Sequence, residues 1–245
     1  MIQLAVFDLD GTLVDTPSAI TAAFTATFES ERRRPPSSAA IRATIGLPLA
    51  QAFAELLDVP VTDPVVPRCM ARYRARFAET VLPKAAELLY PGVAPGLDAL
   101  RARGVVLAVA TSKYVASADA LLVAAGIRPM FALVVGADQV ARPKPHPDMG
   151  RYVLDRLGVD ARRSVMVGDT THDIGMAVAA GMQSIAVTYG VHDRDALLAA
   201  GPTWVADGFA DVVAHVTSES EPMTATRTRS ARAPAAAAVS PRGAQ

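Results

Sequence analysis

The sequence predicts an α/β fold, a Rossmann-like parallel sheet core with a small helical unit inserted into it. Three observations lead there. Short apolar runs alternate with segments of helical period. Those runs are apolar on successive residues, as expected of strands covered on both faces. Residues 16–89 interrupt the alternation.

Taken in order, Leu4–Phe7 reads as the first buried strand. Val105–Ala110 is the second, reached through a helix that places Val93, Leu97 and Leu100 on one face and stops at Gly104. Ala118, Leu121, Leu122 and Ala125 repeat at helical spacing up to Gly126, and Phe131–Val135 follows as a strand. Met149, Val153, Leu154 and Leu157 line the next helix, ended by Gly158. Strands at Ser164–Val167, Ser184–Val187 and Thr203–Ala206 complete the sheet. Between Thr16 and Leu89 nothing reads as a strand. Helical patches at Ile20–Phe28, Leu49–Leu57 and Cys69–Phe77 are punctuated by prolines at 35, 36, 48, 60, 64, 67 and 83. The expected organisation is a core built from residues 1–15 and 90–216, a helical domain at 16–89, and a disordered tail at 217–245.

Composition narrows the function. The chain has 245 residues, 51% hydrophobic and 20% charged, enough apolar matter for a sizeable core. Its 24 basic residues balance 24 acidic ones, which speaks against binding nucleic acid or an anionic membrane through bulk charge. A lone cysteine, Cys69, excludes an intrachain disulfide framework and a multi-cysteine metal cluster, and fits a cytoplasmic address. The first residues reach Asp8 without a basic region, unlike a signal peptide. Ile174–Val191 is uncharged but divides at Gly181 into an alanine-rich helix and a strand, so no membrane span is expected.

Four motifs carry chemistry, each after an apolar strand or in a stiff loop. In Asp8-Leu9-Asp10-Gly11-Thr12, two carboxylates two residues apart leave the first strand toward the same side. They require a cation or a shared proton if they are not simply solvated acids in an Asp–Gly turn, and a hard divalent cation such as Mg²⁺ would serve. In Gly168-Asp169-Thr170-Thr171-His172-Asp173, a second pair stands one helical turn apart. Its members could equally be a helix cap and a first-turn acid. Thr111-Ser112-Lys113 opens a helix and offers either a cap or a phosphate cradle. Arg142-Pro143-Lys144-Pro145-His146-Pro147-Asp148 flanks Lys144 with prolines that would aim it.

In this order the motifs resemble the haloacid dehalogenase-like hydrolase superfamily over residues 2–216, and the insertion is similar to the cap of its phosphoglycolate phosphatase and β-phosphoglucomutase branch. The resemblance implies Asp8 as nucleophile forming an aspartyl-phosphate, and Asp10 as general acid and then base. It implies Lys144 as the neutralising cation and Thr111 and Ser112 as phosphate contacts. Mg²⁺ would sit on Asp8, the Asp10 backbone carbonyl and Asp169, with Asp173 in support. Arg42, Thr44 and Lys113 are candidates for contact with the rest of the substrate. True dehalogenases of the superfamily lack the second acid of the first motif, so Asp10 points to phosphoryl chemistry. The implied activity is a Mg²⁺-dependent phosphatase acting on a small phosphate ester, phosphoglycolate first among them, in a monomer or homodimer. A phosphosugar mutase and a pyrophosphatase are the alternatives within the fold, and a receiver-like phospho-acceptor module the alternative outside it.

The tail lacks any core-forming pattern. Truncation after Val216 is therefore expected to leave both turnover and melting temperature nearly unchanged, as thermal denaturation and an activity assay of the shortened chain will show.

Overall fold

Six short, mostly apolar runs become strands: β1 (Leu4–Phe7), β2 (Val106–Ala110), β3 (Leu133–Val135), β4 (Ser164–Gly168), β5 (Gln183–Val187) and β6 (Trp204–Ala206). The computed structural model describes residues 1–218, and the expected tail from residue 219 on lies outside the described residues. The strands form one parallel sheet in the order β3-β2-β1-β4-β5-β6.

Alternation along each strand separates two cores. Leu4, Val6, Ala108, Ala110 and Met166 face helices α7 (Asp148–Leu157) and α8 (Thr171–Ala180) through Met149, Val153 and Met176. Ala5, Phe7, Leu107, Val109 and Val167 face the opposite way. They meet α5 (Val93–Ala102), α6 (Val115–Ala124) and α10 (Phe209–Thr217). The result is a three-layer α/β/α core, the architecture expected of a parallel sheet. The third strand is shorter than the expected Phe131–Val135. Arg128–Met130 forms a 3₁₀ turn, and the Phe131 carbonyl accepts from the Arg128 guanidinium at 3.0 Å rather than from a neighbouring strand. The last strand likewise starts at Trp204 rather than Thr203. Thr217, expected to begin the tail, is the last residue of α10.

The segment after β1 is helical, as the pattern predicts. It contains α1 (Pro17–Ser30), α2 (Ser38–Ala43), α3 (Leu49–Leu57), α4 (Val65–Thr80) and a 3₁₀ segment at Leu82–Leu88. Helix α2 is too short to leave an apolar period, but Ser37 caps it by accepting from the Ala40 N–H at 3.1 Å. The same holds for α9 (Arg194–Ala199), which is capped by Asp193. An aromatic group packs α1, α3 and α4 together, with ring centroids of Phe24 4.6 Å from Phe53 and 4.8 Å from Tyr73. The entering and leaving chains of this helical segment run side by side: the Asp15 N–H donates to the Leu88 carbonyl at 2.7 Å and the Tyr90 N–H to the Leu13 carbonyl at 3.1 Å. Among the described residues no helix is long and apolar enough to cross a membrane.

Helix α10 is held against β1 by Phe209, stacked on Phe7 with centroids 5.9 Å apart. It can approach only because α5 presents Gly96, where an added Cβ would lie 2.5 Å from the Phe209 ring. Gly96→Ala should therefore lower unfolding free energy by about 1–3 kcal/mol through overpacking. Urea denaturation checks this, and turnover at low temperature should stay near wild type because neither Gly96 nor Phe209 lines the cavity described below.

Candidate active site

Parallel pairing sets the C-terminal ends of β2, β1 and β4 side by side, with Phe7 opposite both Val109 and Val167. The residues that leave those ends are therefore neighbours: Asp8 after β1, Thr111 and Ser112 after β2, Asp169 after β4. This is the edge at which open α/β sheets hold their ligands. Lys144 joins them from the loop before α7, and Asp173 from the first turn of α8.

Lys144 is 3% exposed and its ammonium uses all three donors. It donates to Asp8 Oδ1 at 2.7 Å, to Asp173 Oδ1 at 2.6 Å and to the Ala110 carbonyl at 3.1 Å. The other Asp173 oxygen accepts from the Thr170 hydroxyl at 2.6 Å and the Thr170 N–H at 3.1 Å. Asp169 is fully buried, accepting from the Thr12 hydroxyl at 2.9 Å and the Val191 N–H at 2.8 Å. Two glycines let backbone close around Asp169: a Cβ on Gly11 would lie 2.1 Å, and one on Gly190 2.3 Å, from its side chain.

The electrostatics follow from burial. Loss of water raises the Asp8 carboxyl to about 7; Lys144 opposes this and Asp173 adds to it. Burial, then the Asp8 and Asp173 charges, push Asp169 well above the ordinary carboxylate range. Burial draws Lys144 down, but Asp173 and Asp8 outweigh it and hold its ammonium above the usual lysine range. Carboxylate oxygens of Asp8, Asp169 and Asp173 lie within 4.8 Å of one another. With all three carboxylates ionised, one ammonium would leave two negative charges, and Asp169 is paired to no cation among the described residues. That excess, on hard oxygen donors, fits a divalent metal ion.

Asp10 stands apart. Its carboxylate accepts from the Thr16 hydroxyl at 2.5 Å and pairs with Lys113 at 3.0 Å, so its side chain is not in the acidic group. It faces a cavity of about 310 Å³ between the sheet end and the helical segment, which Asp8, Thr44, Thr111, Ser112 and Lys113 also line. The Ser112 hydroxyl donates to the Gly46 carbonyl at 2.6 Å, tying the two parts together. The Thr111 hydroxyl accepts from the Lys113 N–H at 3.3 Å.

Of the expected substrate contacts, Thr44 and Lys113 line this cavity and Arg42 does not. Arg42 lines a separate cleft with His192 and Asp193, because α2 turns its arginine toward the loop after β5. Thr44 reaches the cavity wall, but its hydroxyl closes the end of α2 by donating to the Ile41 carbonyl at 2.8 Å. Thr16, Val191 and Gly190 were not legible as site residues. Each acts through one tertiary contact to Asp10 or Asp169, although a glycine just beyond a strand end, as at Gly190, is a signal that could have been pursued.

Comparison with known proteins agrees with this geometry. The haloacid dehalogenase-like hydrolase family model matches residues 5–187. Over 213 residues, 87% of this chain and 93% of the other, the sequence is 53% identical to the probable phosphatase IndB of Dickeya dadantii. It is 36% identical to the phosphoglycolate phosphatase of Rhodospirillum rubrum, covering 86% of this chain and 90% of that one. Among solved structures, CbbY of Rhodobacter sphaeroides, in complex with phosphate, superposes with a TM-score of 0.71 at 28% identity, covering 86% of this chain and 96% of that one. A haloacid dehalogenase-like hydrolase of Streptococcus pneumoniae gives 0.73 at 28% identity, covering 87% and 98%. The chain belongs to the haloacid dehalogenase-like hydrolase family. Within that family it is a phosphatase, an enzyme of the phosphoric monoester hydrolase class.

The raised Asp8 carboxyl makes stability depend on pH. Its folded value, about 7, exceeds the ordinary 3.8, so the contribution is complete below about pH 4 and is lost as pH rises through 7. Metal-free protein should thus lose stability between pH 5 and 8 more steeply than Asp8→Asn, in chemical denaturation at about those two values. Added Mg²⁺ should remove the difference, and identical slopes in the two proteins would contradict the assignment.

Proposed function

We propose that the chain is a Mg²⁺-dependent phosphatase of small phosphorylated metabolites, working through an aspartyl-phosphate on Asp8. The observation that carries this reading is the Lys144 ammonium held between Asp8 and Asp173 beside a cavity that also receives Asp10. Asp8 Oδ1 is held by Lys144, and Oδ2 has no hydrogen-bond partner among the described residues, which suits it to attack phosphorus. As the Asp8–phosphorus bond forms, the bond from phosphorus to the leaving oxygen breaks, and Asp10 delivers a proton to that oxygen. Asp10 then takes a proton from water as the water attacks phosphorus, releasing inorganic phosphate and restoring Asp8. Thr16 and Lys113 hold the Asp10 carboxylate toward the cavity for both transfers.

Lys144 stabilises the charge shared by Asp8 and the phosphoryl oxygens, and Thr111 and Ser112 contact those oxygens from the start of α6. Asp8 and Asp169, with the Asp10 backbone carbonyl, would hold the metal, and Asp173 would fix Lys144. Bound Mg²⁺ would supply neutralisation of phosphoryl charge. Residues 16–89 serve as a cap domain over a core formed by 1–15 and 90–216, excluding water from the cavity when the two meet. The support for the cap reading is the Ser112–Gly46 contact and the paired connections at Asp15 and Tyr90. Several relatives bear the name phosphoglycolate phosphatase, which makes phosphoglycolate the first ester to assay.

Asp8→Asn should abolish hydrolysis of any phosphate ester while leaving circular dichroism unchanged, because the amide is isosteric but not nucleophilic. Wild-type activity should vanish with EDTA and return with Mg²⁺. Rapid quench of turning-over wild-type protein followed by peptide mapping should place the acyl-phosphate on Asp8. Its appearance on another residue would overturn the mechanism.

A further inference from the structure

The part of the cavity lined by the helical segment has a chemistry of its own. Phe24 of α1, Leu49 of α3, and Tyr73 and Phe77 of α4 line the cavity from the helical segment, joined by Leu47 from the loop before α3. Tyr73 and Phe77 lie one turn apart on α4 and so share a face. Asp8 and Asp10 line the same cavity as Tyr73 and Phe77, so this face borders its reacting end. Leu47 and Leu49 are only half-buried, so apolar surface is left open to whatever fills the space. A two-carbon acid would leave most of that surface facing water.

One cation in the wall makes no ion pair among the described residues. Lys113, the other, is paired with Asp10 and sits 4.2 Å over the Phe77 ring. Arg74 lies next to Tyr73, its guanidinium 4.3 Å above the Tyr114 ring. It lines the same cavity and makes no ion pair among the described residues. Its Nη2 is shut off from solvent and has no hydrogen-bond partner among the described residues. Buried donors are almost always satisfied, and a planar guanidinium held by ring stacking presents its N–H groups in the fork that a carboxylate fits.

Resting on the phosphatase reading above, we propose that the substrate is a phosphate monoester whose leaving group joins a flat apolar body to a carboxylate, the body packing on Phe24, Tyr73 and Phe77 and the carboxylate pairing with Arg74. Arg74 is then a specificity-determining binding residue, and the aromatic face of α4 selects against small hydrophilic esters.

Three esters with Mg²⁺ separate the parts: 4-carboxybenzyl phosphate carries body and carboxylate, benzyl phosphate the body alone, and phosphoglycolate the carboxylate without the body. The expected kcat/KM for 4-carboxybenzyl phosphate exceeds both others by roughly tenfold, since a site built to bond a polar group rejects analogues that lack it. Arg74→Gln should bring 4-carboxybenzyl phosphate down to the level of benzyl phosphate while changing benzyl phosphate by less than about twofold. Arg74→Lys, which keeps the charge but not the fork, should recover part of the loss, with melting temperature confirming that both variants fold. Phosphoglycolate turned over best, or an equal loss on all three esters, would overturn the proposal; the second result would assign Arg74 to the phosphoryl group. Calorimetry of wild type with 4-(hydroxymethyl)benzoate, the leaving alcohol, reads the cavity without chemistry. Binding that Arg74→Gln abolishes, with no ester hydrolysed, would keep Arg74 as a carboxylate site but overturn both the phosphate-ester substrate and the proposed mechanism; no binding and no hydrolysis would remove the Arg74 site as well.

Discussion

The structure depends on one buried ammonium. Lys144 lies at the end of a parallel sheet where three carboxylates have been taken out of water, and it bridges Asp8 and Asp173. A buried charge is tolerable only when paired and fully hydrogen-bonded. Lys144 meets that condition with three acceptors, one of them the carbonyl that ends β2. Its position therefore links three segments distant in sequence: the exit of β1, the exit of β2, and the first turn of α8. The same arrangement has three carboxyls against one ammonium, so what makes the acidic group costly in isolation also suits it to a divalent cation.

Sheet topology supplies the remaining precision. With β1 central and flanked by β2 and β4, the first motif has Thr111 and Ser112 on one side and the second acidic pair on the other. Backbone must come unusually close to Asp169, and it does so where side chains are absent, at Gly11 and Gly190. Val191 then gives its N–H to Asp169, so the loop after β5 completes a site whose acids come from β1 and β4. Each of these contacts fixes an oxygen that would otherwise rotate.

The helical segment answers a different requirement. Its aromatic packing makes it stable as a group of helices, and the same aromatic residues form the far wall of the cavity. Charged groups are thus concentrated at the sheet end, and apolar and aromatic lining in the helices. The hydrogen bond from Ser112 to Gly46 joins the two across the opening. Asp10 lies at the boundary, held by Thr16 at the entrance to α1 and by Lys113 at the entrance to α6.

Much of this was legible in the sequence because it is local. Strand and helix periods, the glycines that end helices, and acids placed just beyond apolar runs depend on neighbours along the chain, and they were enough to indicate the α/β core and to single out Asp8, Asp10, Thr111, Lys144, Asp169 and Asp173. The short helices α2 and α9 escaped because six residues are too few to show a period. The cleft that Arg42 lines could not be read from the sequence, because the direction in which a short helix turns a side chain is set by packing between segments, not by spacing within one. For the same reason, only the tertiary structure could show that Lys113 is paired with Asp10 while Arg74 is left with an unpartnered donor. Sequence marks the groups able to carry charge; which charges meet, and which remain open for a ligand, is decided by the three-dimensional approach of elements that the chain keeps far apart.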